Sequence, residues 1–159
     1  VIVIDETKLD NIAIHSRIIR DYIKDGDVKM ANKLLGKEYK IYGQQIKGQG
    51  LGAKSFVPTI NLKVDEFLLP NEGVYITKTI LDEKEFNSIT FLGHRVTTDG
   101  SYAVETHIID EDIKNSNYTT QIKFYEKLRD NQTFDSFEEL KNQILADINL
   151  AKNYFINIY

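Results

Sequence analysis

Two stretches of the sequence hold residues that could bind a phosphorylated ligand. Gly48, Gly50 and Gly52 fall within five residues, and glycine permits the positive φ angles that turn successive backbone amides toward one anion. Thr59 and Asn61 lie two apart in an extended segment, so their hydroxyl and amide oxygens face one side, a donor pair that suits Mg²⁺. Taken alone, the two patterns are more typical of a mobile hairpin loop and of a local turn.

A third stretch, 102–109, places a carboxylate in the middle of a predicted strand. Alternation puts Glu105 and His107 on the face opposite the predicted core face. A glutamate in mid-strand lowers β-propensity, so a role as general base would explain it, although a solvated glutamate is commoner. Because the chain has three histidines and no cysteine, His107 is more typical of a surface residue than of a zinc ligand. The predicted core face holds Tyr102, Val104, Thr106 and Ile108.

Composition and charge narrow the class of protein. The chain of 159 residues is 42% hydrophobic and 28% charged, which predicts one globular domain with a short appendage. No apolar run approaches the roughly 20 residues that a membrane-spanning helix needs. Residues 51–159 hold 11 basic against 17 acidic side chains, so a nucleic-acid backbone would be repelled, whereas a few local groups could hold a small phosphorylated ligand. Arg129 could clamp such a phosphate or pair with Asp130.

Hydrophobic periodicity predicts a helical hairpin in residues 1–37, after a short apolar start. The turn falls at 25–27, where Asp27 is placed to cap the second helix, and Gly36 stands at its C-terminal end. The apolar faces are Ile14, Ile18, Ile19, Tyr22 and Ile23 in the first helix and Met30, Leu34 and Leu35 in the second.

Residues 38–130 change to short β-rich runs separated by Asn, Asp and Gly turns. Pro58 indicates that the segment 57–62 is a strand start or an edge. Five or six strands without intervening helices predict an antiparallel barrel or sandwich. The β-rich runs cover 39–46, 74–81, 88–92, 102–109 and 120–128.

A long helix closes the chain. Ser136, with Glu139 three residues on, forms a predicted capping box. The apolar stripe beyond it favours packing on the outside of the barrel over recruitment of a partner. The stripe consists of Leu140, Ile144, Ile148, Ala151 and Phe155.

Taken in their order along the chain, the motifs resemble those of the riboflavin kinase domain found at the C-terminal end of bacterial bifunctional riboflavin kinase/FAD synthetases. The resemblance extends over 26–159, and Pro58–Asn61 reads PTIN where the family reads PTAN. The other matching stretches are Gly26–Gly36, Leu68–Tyr75, Val104–Asp110 and Leu128–Leu140.

The resemblance implies a six-stranded Greek-key barrel that transfers the γ-phosphoryl of ATP to the 5′-hydroxyl of riboflavin, giving FMN and ADP in the cytoplasm. By position, Thr59 and Asn61 would hold Mg²⁺ between the ATP phosphates and the flavin hydroxyl, and Glu105 would take the hydroxyl proton. Arg129 lies in the region that closes over flavin. The nucleotide-binding positions would be Gly48, Gly50, Gly52, Lys54, Thr59, Asn61 and Tyr118.

The N-terminal segment extends the resemblance. His15–Arg20 is similar to the end of the adenylyltransferase module of the bifunctional enzymes, and the chain starts at Val1 rather than Met. We therefore expect 1–37 to be the helical tail or linker of a missing adenylyltransferase module, and 38–159 to be the kinase barrel with its C-terminal helix. FAD synthetase activity is not expected, which leaves Ser16, Arg17 and Arg20 without a role.

Two alternatives remain open at this point. One is a non-catalytic barrel that binds flavin or nucleotide. The other is a barrel that binds single-stranded nucleic acid through stacked aromatic rings, supplied by nine Tyr and eight Phe residues. The acidic segment 51–159 argues against the second alternative, and neither a nucleic-acid nor a membrane partner is expected.

Overall fold

The computed structural model describes residues 7–47, 57–95, 99–111, 113 and 119–158. Within these ranges the chain forms a small two-stranded sheet, a helical hairpin, a closed barrel and a long C-terminal helix. The strands are β1 (Lys8–Leu9), β2 (Ile12–Ala13), β3 (Lys40–Ile46), β4 (Ile60–Lys63), β5 (Gly73–Leu81), β6 (Lys84–His94), β7 (Tyr102–Ile108) and β8 (Thr119–Arg129). The helices are α1 (Ser16–Asp25), α2 (Val28–Leu35) and α3 (Phe137–Asn157).

The predicted helical hairpin is α1 and α2, and local features explain where α1 ends and where α2 begins and ends. α1 ends at Gly26, whose φ of 82° is the left-handed conformation that glycine adopts without strain. The Asp27 carboxylate accepts a 2.9 Å hydrogen bond from the Met30 N–H at the start of α2. α2 ends at Gly36, with φ 68°. The preceding segment is not wholly helical as predicted, because β1 and β2 pair antiparallel there.

The buried face of α2 lies earlier in the helix than the sequence predicts. Met30 and Leu35 are only half-buried, whereas Val28 is fully buried and belongs to the barrel core. The predicted face is confirmed for Leu34 and wrong for Met30 and Leu35, because the side of α2 that packs against β8 consists of residues at intervals of three. The buried residues of α2 are Val28, Ala31 and Leu34.

Six antiparallel strands close the barrel in the order β3–β4–β7–β6–β5–β8, with β8 pairing back onto β3. β5, β6 and β7 follow one another as hairpins, and β8 returns to lie beside β5. This return of the fourth strand beside the first defines a Greek key. The predicted fold class, a mainly β six-stranded barrel with a C-terminal helix, is confirmed.

Alternation along the strands separates the barrel interior from its outer wall. On β7 the predicted core face is confirmed for Val104, Thr106 and Ile108, which are all buried. Tyr102 is 42% exposed instead, because it is the first residue of the strand; its ring makes a T-shaped contact with the ring of His94. The strand residues of the interior core are Ile41, Ile60, Leu62, Tyr75, Leu81, Leu92, Val104, Ile108, Ile122 and Phe124.

α3 packs on the outer wall, as its apolar stripe predicts. Ser136 caps it by accepting a hydrogen bond from the Glu139 N–H, and the Glu139 carboxylate accepts one from the Asp135 N–H. Ile148 and Phe155 of the stripe form a second core with outward-facing residues of β5 and β6. The barrel wall therefore has one face covered by α3.

Five buried hydroxyl groups form a ring inside the barrel, between β5, β6 and β7. Thr79 contacts Ser88 at 2.8 Å, Ser88 contacts Thr77 at 2.8 Å, and Thr77 contacts Thr90 at 2.8 Å. Thr106 then closes the ring, at 3.1 Å from Thr90 and 2.9 Å from Thr79. If every hydroxyl donates to the next one in the same direction around the ring, each of the five donates one hydrogen bond and accepts one.

Replacing Thr77 by Val is expected to lower the free energy of unfolding by about 1–3 kcal/mol, because two buried hydroxyls lose a partner while the side-chain volume is kept. Urea denaturation measures the loss. Thr119→Val, on an exposed residue of β8, is the matched control and should change stability by no more than about 0.5 kcal/mol. Equal effects of the two substitutions would contradict a stabilising role for the ring.

Candidate active site

Asn61 and Glu105 lie side by side on the outer wall of the barrel. β4 pairs with β7 so that Asn61 is opposite Glu105 and Ile60 is opposite Thr106. Ile60 and Thr106 face the interior, so the strand alternation turns Asn61 and Glu105 outward. The two candidate residues, far apart in the chain, are thus cross-strand neighbours.

Both side chains are partly withdrawn from water. Asn61 is only 8% exposed, and the Glu105 side chain is 24% exposed. A carboxylate at this depth needs a cationic or hydrogen-bonding partner. Arg95 meets that need: its Nη2 donates to Glu105 Oε1 at 2.5 Å and to Asn61 Oδ1 at 2.8 Å.

Arg95 is the residue of this site that sequence reasoning missed. It follows β6 directly, where a single arginine carries no periodic signal. A glutamate in mid-strand does predict a counter-charge, but only the pairing of β6 with β7 shows which cation supplies it.

Thr59 directly precedes β4, after the proline that the sequence places at a strand start. It is half-buried and lies two residues before Asn61. Its neighbour Pro58 accepts a 2.8 Å hydrogen bond through its carbonyl oxygen from His107 Nδ1, when that nitrogen carries the proton. His107 therefore ties the start of β4 to β7, beside Glu105.

Burial lowers the pKa of His107 below its usual 6.5, an effect that the hydrogen bond with Pro58 opposes only in part. Because the unfolded chain binds the proton more readily, this group stabilises the fold above its unfolded pKa. The contribution is lost as the pH falls through the lower pKa of the folded state. We expect this contribution to the unfolding free energy to decline as the pH falls below about 6.5, and the His107→Gln variant to lack that component of the decline. Urea denaturation at several pH values tests this, and identical pH slopes would contradict it.

Arg129 lies at the end of β8 and is engaged by α3. Its guanidinium donates to both oxygens of Asp147, with the Nη2–Oδ2 distance at 2.9 Å. Its charge also lies 5.8 Å from the centre of the Phe134 ring. In the described part of the chain, no hydrogen bond or ion pair joins Arg129 to Asn61 or Glu105. Its contact with flavin stays a prediction.

The other predicted nucleotide-binding residues lie outside the described residues. They are Gly48, Gly50, Gly52, Lys54 and Tyr118.

Among the described residues, no helix is long and apolar enough to cross a membrane.

Known proteins match this chain over most of its length, in sequence and in structure. The family model for riboflavin kinase, Flavokinase, matches residues 35–155. Proteins named bifunctional riboflavin kinase/FMN adenylyltransferase are similar to the chain: 35% identical over 92% of it in Haemophilus influenzae, 33% over 92% in Buchnera aphidicola subsp. Acyrthosiphon pisum, and 31% over 91% in Pseudomonas fluorescens. The chain spans about half the length of these relatives, 47–48%.

A solved structure shares the fold. It is described as a macrolide-efflux protein from Streptococcus pneumoniae, and it matches 96% of this chain and 51% of its own with a TM-score of 0.87 at 30% identity. The family match takes in every strand of the barrel and both Asn61 and Glu105. Because that match covers most of the chain, the protein belongs to the riboflavin kinase family.

Proposed function

We propose that this chain transfers the γ-phosphoryl group of ATP to the 5′-hydroxyl of riboflavin, giving FMN and ADP. The family supplies the reaction class, and the observation that carries the proposal is the outer-wall cluster in which Arg95 joins Asn61 to Glu105. Phosphoryl transfer needs positioned charge and one proton acceptor rather than a nucleophilic side chain. The cluster offers one carboxylate for that purpose.

In this proposal Glu105 is the general base. Its carboxylate takes the proton of the riboflavin 5′-hydroxyl as the hydroxyl oxygen bonds to the γ-phosphorus. The bond between the γ-phosphorus and the oxygen that bridges it to the β-phosphate breaks at the same centre, and ADP leaves with that electron pair. A partly buried position favours the reaction because fewer waters compete for the carboxylate and charges interact more strongly there.

Thr59 and Asn61 would hold Mg²⁺ together with the ATP phosphates. Their hydroxyl and amide oxygens are hard donors, and two such donors leave room for water and phosphate ligands, as Mg²⁺ prefers. Among the described residues, no group of three or more His, Cys, Asp or Glu side chains could hold a metal on its own, so a metal shared with the nucleotide fits this donor set. The bound ion would neutralise charge on the phosphates.

The remaining roles come from the resemblance to the family. Arg129 would border the flavin while Asp147 holds its guanidinium. The further nucleotide contacts would come from Gly48, Gly50, Gly52, Lys54 and Tyr118.

The curated relatives are bifunctional, and this chain matches only about half of their length. We therefore restrict the proposal to the kinase reaction and expect no FMN adenylyltransferase activity from residues 1–159 alone.

The test is to incubate the chain with riboflavin, Mg²⁺ and ATP and to separate FMN by chromatography. We expect FMN and ADP in equal amounts, and no FMN without ATP. Quenching of riboflavin fluorescence without FMN formation would instead identify a non-catalytic flavin-binding barrel.

A further inference from the structure

Backbone hydrogen bonds to Gly100 and Ser101, just before β7, hold Arg95 in place directly after β6. Its backbone N–H donates to the carbonyl of Ser101 at 2.9 Å, and its own carbonyl accepts from the Gly100 N–H at 3.1 Å. These two hydrogen bonds fix the backbone of Arg95, which limits the positions that its guanidinium can reach.

Among the residues that the structure describes, the guanidinium donates hydrogen bonds to three different side chains. Nε and Nη2 both donate to Glu105 Oε1, at 2.8 and 2.5 Å, and Nη2 also donates to Asn61 Oδ1 at 2.8 Å. Nη1 donates to the Ser101 hydroxyl at 2.7 Å, and that hydroxyl donates to Asp99 at 2.8 Å. The planar arrangement of these donors fixes the three acceptors relative to one another. The Arg95 side chain is only 17% exposed, so water competes little for these bonds.

The two hydrogen bonds from Arg95 to Glu105 use the same carboxylate oxygen. Both end on Oε1, and no hydrogen bond from the described part of the chain ends on Oε2. A carboxylate bound through one oxygen keeps the lone pairs of the other for a further donor. The amide oxygen of Asn61 likewise keeps one lone pair after accepting from Arg95.

We propose that Arg95 is a positioning residue for the kinase reaction: it holds Glu105 by Oε1 and thereby presents Oε2 to the hydroxyl of the acceptor substrate. The inference rests on the proposed function, because it assigns the reacting oxygen of the proposed base. Arg95 acts through Glu105 and Asn61 and does not itself touch the reacting atoms. Lysine cannot replace it, since one ammonium group lacks the planar set of donors that reaches three acceptors at once.

Steady-state kinetics of the full chain test this role. We expect Arg95→Gln and Arg95→Lys to lower kcat for FMN formation by about 10–100-fold, with the KM for riboflavin within about twofold of wild type. In a chain that already carries Glu105→Gln, the same Arg95→Gln change should lower kcat by less than about threefold, because the oxygen that Arg95 positions no longer accepts a proton. Thermal unfolding of each variant is measured alongside.

Lys123→Gln is the matched control, because Lys123 forms a partly buried ion pair with Glu85 on another part of the barrel wall. It should leave kcat within about twofold of wild type. If Arg95→Gln unfolds, the Arg95→Lys variant, which keeps the charge, carries the test.

Three outcomes would overturn the proposal. The first is an Arg95 variant with wild-type kcat. The second is a full additional loss of kcat on combining Arg95→Gln with Glu105→Gln, which would show that Arg95 acts independently of the base. The third is a rise in the KM for ATP at unchanged kcat, which would make Arg95 a nucleotide contact. A wild-type chain that forms no FMN would overturn the proposed function together with this inference. If the wild-type chain does form FMN, any of the three outcomes overturns this inference alone.

Discussion

Replacing Glu105 by Gln is expected to lower kcat for FMN formation by about 100–10,000-fold, which is the range for loss of a positioned general base. The amide keeps the size of the side chain and can still accept a hydrogen bond from Arg95, so Asn61 and Arg95 should remain in place. It cannot take the proton of the riboflavin hydroxyl. Binding of riboflavin and ATP should therefore change little while turnover falls. Chromatographic measurement of FMN at saturating substrates gives the ratio of kcat values.

Glu85→Gln is the control for this experiment, because Glu85 is another glutamate on a barrel strand that pairs with lysines, Lys78 and Lys123. It should retain kcat within about twofold. Wild-type turnover in Glu105→Gln would remove Glu105 as the base. A comparable fall in both variants would point to loss of folding, which circular dichroism and thermal unfolding detect.

Replacing Asp147 by Asn is expected to lower the free energy of unfolding by about 3 kcal/mol, the lower end of the range for breaking a buried ion pair. Asp147 is 1% exposed and accepts three hydrogen bonds from Arg129 and one from Gln143. Asparagine has a similar shape but turns an N–H donor toward the guanidinium, which then stays largely buried without its counter-charge. The Arg129 side chain is 18% exposed, and this access to water keeps the loss at the lower end.

A loss of this size corresponds to a fall in the melting temperature of about 6–12 °C for a chain of this length. The matched control is Asp110→Asn, which removes the ion pair between Asp110 and Lys152 of α3. Both partners are well exposed, so the expected loss is below about 1 kcal/mol, and asparagine tolerates the left-handed backbone at position 110. Equal losses in the two variants would contradict a special contribution of the Arg129–Asp147 pair.

The apolar stripe of α3 did not predict that Asp147 is buried. The stripe that begins at Leu140 correctly predicts which side of α3 faces the barrel, since Ile148, Ala151 and Phe155 are buried there. A charged residue within that buried side breaks the apolar pattern, and its partner on β8 is not visible from the helix alone. The same limit applies to α2, where packing against β8 selected Val28 as a core residue.

Local features of the chain were predictable because they depend on neighbours in sequence. Strand alternation has a period of two, so the outward direction of Glu105 follows from β7 alone. The caps at Asp27 and Ser136 depend on residues within one helical turn, and both are confirmed. The order of motifs from Pro58 to Leu140 identified the family that the comparisons show.

The meeting of Asn61, Glu105 and Arg95 was decided only by the tertiary structure. The alternation of side chains along β4 and β7 predicts which face of the sheet each residue lies on. It does not predict which residues of the two strands are paired. That register depends on how six strands close into one barrel, where a shift of one residue would exchange the inner and outer faces. Arg95 lies between two strands and has no period of its own, so its partners follow from the fold and not from its position in the chain.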